Sequence, residues 1–197
     1  MNKLTIAMLI SLIICMAASV ISNAKEVERM TDKIIRVHVI ANSDSEGDQE
    51  LKLKVKDRVV ELAGDMLAGC SDKDEAASLI KENLDDLCKA AEEVISSNGY
   101  QYGVVCSISP EVFETRIYDD FTLPAGEYDS LCIRIGEAEG TNWWCVCYPS
   151  LCIGSASKID DCGAFTEGEI TIVKEPEKVR YKLWCFKLMR KIKAIFE

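Results

Sequence analysis

The chain has 197 residues, 48% of them apolar and 28% charged, with 23 Lys and Arg against 33 Asp and Glu. A net charge of −10 argues against nucleic acid as a partner, because an acidic body repels phosphate. The length suits one domain of ordinary size with a real core.

In chain order, Lys3 supplies a positive start, and residues 4–21 are apolar apart from Thr5, Ser11 and Ser19. Ser22 and Ala24 put small residues where a signal peptidase reads. Residues 1–24 are therefore expected to be a cleaved signal peptide, leaving 173 residues that work outside the cytoplasm. The rival expectation is a retained membrane anchor, for which this stretch is just long enough. Residues 25–179 hold 16 Lys and Arg against 32 Asp and Glu, a balance of −16, and are expected to form a single signalling domain.

Residues 34–41 form the first predicted strand. Ile35, Val37, Val39 and Ala41 make one apolar face, and Ile34, Arg36, His38 and Ile40 a mixed one. His38 is the chain's single histidine. Ser43-x-x-Glu46 fits a capping box opening a helix, with Leu51, Val55, Val59, Leu62 and Met66 as its apolar stripe. A second helix is expected after Cys70, capped by Ser71 or Asp72, with Ala77, Ile80, Leu84, Leu87, Ala91 and Val94 inward. Asn98 and Gly99 stop it. Short strands follow at 102–108, 112–118, 128–135 and 142–148. Residues 154–178 read as loop, with a short strand at 170–173. Residues 180–197 read as an amphipathic basic helix that docks on the acidic body, lies on an anionic membrane surface or enters a partner's groove. The order implies a two-layer α+β domain, with helices on one face of a largely antiparallel sheet.

Ten cysteines are present, nine of them beyond the leader. Outside the cytoplasm disulfides are the default. If Tyr148 and Pro149 top a hairpin, Cys145 falls opposite Cys152, and a disulfide is favoured there over two buried thiols. Structural zinc is disfavoured, since no histidine lies near Cys145-x-Cys147 and no paired CxxC unit exists. No cofactor is expected.

The segment between the first strand and the first helix looks like a place for chemistry. Asp44, Glu46 and Asp48 would repel a phosphate at that helix N-terminus. A calcium loop starting at Asp44 fails, because Gln49 and Val55 occupy its glycine and glutamate positions. His38 has no carboxylate on its own strand face, although Asp44 could fold back to it or Cys145 could serve as its nucleophile. Trp143 and Trp144 are adjacent in a strand, so they point to opposite faces, one toward the core and one outward.

Two blocks carry a resemblance. Arg36-x-His38-Val39-Ile40-Ala41-Asn42-Ser43-Asp44 with Asp48-Gln49-x-Leu51-Lys52 is one. Pro124-Ala125-Gly126 and Tyr128, leading through Gly136 and Gly140 to Asn142-Trp143-Trp144-Cys145-Val146, Pro149 and Leu151-Cys152, is the other. Together they resemble the stage II sporulation protein R family. Ala138 stands where that family usually has glycine, Ser150 where a second proline is common, and Lys56 where an arginine is usual. The resemblance implies a non-enzymatic protein exported from the forespore into the space between two membranes. There it would activate a membrane-embedded aspartic protease of the mother cell, which processes a sigma factor precursor. Arg36, His38, Asn42, Asp44, Trp143 and Trp144 are the expected partner-facing residues, with Ser43, Asp48 and Gln49 supporting the helix start. The alternatives are an exported hydrolase using His38 with Asp44 or Cys145, and a membrane-associated ligand-binding protein.

Overall fold

A computed structural model describes residues 11, 14, 15, 18, 25, 27–118, 121–149 and 165–174. Ser150, Cys152 and the basic segment 180–197, and with them the expectations placed there, lie outside the described residues, as does most of the leader. Among the described residues, no helix is long and apolar enough to cross a membrane.

The described chain falls into two units, one comprising residues 31–113 and 127–165, the other residues 1–30, 114–126 and 166–197. The larger unit holds the α+β architecture. Strand β1 (Ile35–Ile40) is followed by helices α1 (Glu46–Leu67), α2 (Lys73–Glu82) and α3 (Leu84–Ser97). Strand β2 (Val104–Phe113) comes next; β5 (Gly126–Ile135) and β6 (Asn142–Tyr148) complete the sheet. The order across this four-stranded mixed sheet is β2-β5-β1-β6. β1 is central, parallel to β5 and antiparallel to β6.

The alternation in β1 sorts its side chains. Ile35, Val37 and Val39 join Leu51, Val55 and Val59 of α1, Ile80 of α2 and Leu87, Ala91 and Ile95 of α3 in one buried cluster, with Leu131, Ile133 and Cys145 from the sheet. Leu62 and Met66, expected inside, are partly buried at its edge. The opposite sheet face carries Arg36 and His38.

Three local expectations change. The N-cap of α1 is Ser45, whose hydroxyl accepts from the Asp48 amide; Ser43 instead donates its hydroxyl to the Asp48 carboxylate, and Glu46 is exposed. The second helix is two helices, broken at Asn83. There the side-chain amide and the backbone N–H both bond Leu79 O, and a side chain that serves its own backbone competes with helix continuation. Asp72 caps α2, accepting from the Glu75 amide. β2 runs unbroken through Pro110, which an edge strand tolerates because it need not donate on its outer side.

In the smaller unit, β3 (Arg116–Ile117) and β4 (Thr122–Leu123) pair antiparallel, and Tyr118 stacks on Phe121 at 4.7 Å. Residues 167–174 form helix α4 (Glu167–Lys174) instead of the strand expected at 170–173. The cause is a capping box. Thr166 N–H donates to Glu169 Oε2 at 2.7 Å, and Glu169 N–H donates to Thr166 Oγ1 at 3.4 Å, which starts a helix whatever the β-propensity of the residues after it.

Candidate functional site

Two constellations grow from β1. The first follows its C-terminal end, where the chain turns into α1. Asn42 Oδ1 accepts the Glu137 amide at 3.0 Å, while Asn42 Nδ2 donates to Asp48 Oδ2 at 2.9 Å. The carbonyls of Asn42 and Ala41 accept the amides of Glu139 and Gly140. Asp44 Oδ1 accepts both the amide and the hydroxyl of Thr141 at 2.6 Å. Gln49 Nε2 donates to Ser43 O, and the buried Lys52 ammonium donates to Gln49 Oε1 and Thr141 O. The loop at 136–141 is thereby sewn to the turn at 41–44. Gly140 has no space for a Cβ, which would run into the Ser43 carbonyl.

Charge in this turn is settled internally. Hydrogen bonds from the Thr141 hydroxyl and amide hold the Asp44 carboxyl below its usual value. Bonds from Asn42 and then Ser43 do the same for Asp48. Burial pulls the Lys52 ammonium down. Ser43, Asp48 and Gln49 sit at the start of α1. Asn42 and Asp44, expected to face a partner, are engaged within the chain.

The second constellation lies on the sheet face away from the helices. In register, His38 sits between Cys132 of β5 and Trp144 of β6. The His38 ring stacks on Trp144 at 5.5 Å and meets the edge of Phe113 at 6.2 Å. His38 Nδ1 is 2.9 Å from Glu111 Oε2, and Nε2 is 3.0 Å from Asn142 Oδ1. The other carboxylate oxygen of Glu111 lies 3.6 Å from Arg134 Nη2. Cys132 Sγ is 3.8 Å from His38 Nδ1. Next to them Arg36 is fully buried, its guanidinium 4.1 Å from the Phe113 ring centroid and 5.2 Å from that of Tyr128, so its planar cation rests on aromatic faces.

The reading of His38 as lacking a carboxylate is therefore corrected. Glu111 reaches it from another strand, 73 residues away in sequence, and sat in what read as a gap between two strands. Cys132 and Arg134 were legible as one face of β5; their meeting with Glu111 required the strand order. Asp44 is bonded to Thr141, not to His38. Cys145 is disulfide-bonded and faces Val37 in the helix-side core, away from His38. Its expected partner, Cys152, lies outside the described residues. The tryptophans do take opposite faces: Trp143 packs on the helix-side core with the Lys56 ammonium 4.9 Å from its ring, and Trp144 covers His38.

A histidine beside a carboxylate is half of a nucleophilic apparatus. The other half is poorly supplied here. Burial, and then the Glu111 charge, push the Cys132 thiol up to about 12, so at neutral pH it is a protonated, weak nucleophile.

The family model for stage II sporulation protein R matches residues 31–158, which takes in both blocks of the turn-and-loop constellation and every residue around His38. The chain belongs to the stage II sporulation protein R family. It is 33% identical over 121 residues to the stage II sporulation protein R of Bacillus subtilis (strain 168), covering 61% of this chain and 54% of that protein. The chain thus spans about half the length of the curated relative it matches. No solved structure matches. A sporulation role follows from membership, and residues 41–44 and 136–141, one stretch from each sequence block, are joined by hydrogen bonds in this fold.

Proposed function

We propose that this chain is an exported, non-enzymatic sporulation signal that activates a membrane-embedded aspartic protease of the mother cell, which then processes a sigma factor precursor. Family membership carries this reading. Three features favour contact over catalysis: Cys132 is fully buried, which pushes its thiol up and disfavours the thiolate, Cys145 is in a disulfide, and Asp44 is tied to Thr141. The recognition surface centres on Trp144 and the partly exposed His38, with Arg36, Asn42, Asp44 and Trp143 holding it in shape. Activation by contact requires tighter binding to the protease's active state than to its inactive one. The closing basic segment, 180–197, supplies attraction to the anionic membrane in which the protease sits.

The experiment is to add the purified chain to vesicles holding the protease and the sigma factor precursor, and to follow processing. Wild-type chain is expected to start it. A His38→Ala, Trp144→Ala double variant with an unchanged circular dichroism spectrum is expected to slow it at least tenfold. No processing with the wild type rejects the function; full processing with the folded double variant rejects the surface.

A further inference from the structure

We propose that His38 Nδ1, one carboxylate oxygen of Glu111 and the sulfur of Cys132 form a binding site for a borderline-soft divalent metal ion, zinc being the best fit. The three ligand atoms come from β1, β2 and β5 and lie within 4.8 Å of one another. Zinc takes nitrogen, oxygen and sulfur together, at bond lengths that place tetrahedral ligand atoms about 3.3–3.6 Å apart. The observed 2.9 Å between Nδ1 and Oε2 and 3.8 Å between Nδ1 and Sγ bracket that spacing, so small side-chain movements suffice.

The surroundings prepare each ligand. Asn142 Oδ1 can accept from His38 Nε2–H, which makes Nδ1, facing Glu111 and Cys132, the nitrogen that ligates once the proton it shares with Glu111 is displaced; metal-bound histidines carry such a second bond to fix their tautomer. Trp144 and Phe113 hold the imidazole plane from two sides. Arg134 sits by one oxygen of Glu111 and turns the other toward His38. A metal ion would replace the proton between His38 and Glu111 and the proton on Cys132, releasing both. The His38 and Glu111 side chains keep 14% and 20% of their surface exposed, so a fourth position can be filled by water. A thiolate in the set selects against magnesium and calcium, which demand oxygen.

The test uses the full chain, stripped of metal under reducing conditions and titrated with zinc by calorimetry and with cobalt(II) by absorption. One equivalent should bind, with a thiolate-to-cobalt band in the near ultraviolet, and magnesium should not compete. Cys132→Ser should remove the band from the tight site. Glu111→Gln and His38→Gln should each weaken zinc at least tenfold, and Asn142→Ala, which leaves the ligands in place, by about tenfold. Circular dichroism identifies variants that remain folded. The proposal is overturned if the wild-type chain binds zinc no more tightly than magnesium. Unchanged band and affinity in Cys132→Ser would overturn it too, since other cysteines would then hold the metal. So would unchanged affinity in folded Glu111→Gln.

Discussion

Asp44, in the turn after β1, accepts two 2.6 Å hydrogen bonds from Thr141, 97 residues further along the chain. This closes the loop at 136–141 onto the start of α1 and sets the end of β6, from which Asn142 and Trp144 reach His38. Replacing Asp44 with Ala is expected to speed hydrogen exchange at the Thr141 amide on the order of tenfold, with little change at the core amides of β1. Equal acceleration in both places would show that the contact is not local.

Asp48 is the buried counterpart: its backbone N–H donates to the Ser45 cap, and its carboxylate accepts from Asn42 and Ser43. Asp48→Ala leaves those partly buried side-chain donors without their acceptor and is expected to cost about 1–3 kcal/mol in denaturant unfolding.

Both aspartates have folded-state values held below the usual 3.8 by hydrogen bonds. A depressed carboxyl contributes stability that is present above its unfolded value, about 4, and is lost as pH falls through the folded value. Thermal stability should therefore drop between about pH 5 and pH 3, and Asp48→Asn should flatten that drop. An identical profile for the variant would assign acid sensitivity elsewhere.

Ala138 has φ of +55°, in the left-handed region where a Cβ is strained. An alanine at this position thus has an energetic consequence. Ala138→Gly should stabilise the chain by about 1 kcal/mol, read as a rise in the unfolding midpoint; a fall would mean that unfolded-state entropy outweighs the strain.

Cys132 and Cys147 are buried thiols, each pushed up to about 12. Alkylation of the native metal-free chain at pH 8 should label them on the order of a thousandfold more slowly than an exposed cysteine, with mass spectrometry locating the label. Rapid native-state labelling of Cys132 would restore a nucleophile beside His38 and with it the hydrolase reading.

Period and punctuation were enough to place most elements. β1, α1, β5 and β6, the stop at Asn98 and Gly99, and the opposed tryptophans all follow from side-chain alternation and local backbone preference, which act over a few residues. The break at Asn83 and the helix at 167–174 were harder, because single side-chain hydrogen bonds decide them against propensity. The family was also legible, since its two blocks are stretches of contiguous sequence. What only the tertiary structure decided is which residues meet. The order β2-β5-β1-β6 places Glu111, Cys132 and Asn142 around His38, turns Arg36 inward onto two rings, and closes Asp44 onto Thr141. The reason is physical: a strand's sequence determines which side chains share its face, but strand order and register determine which faces touch, and these are set by packing across the whole sheet.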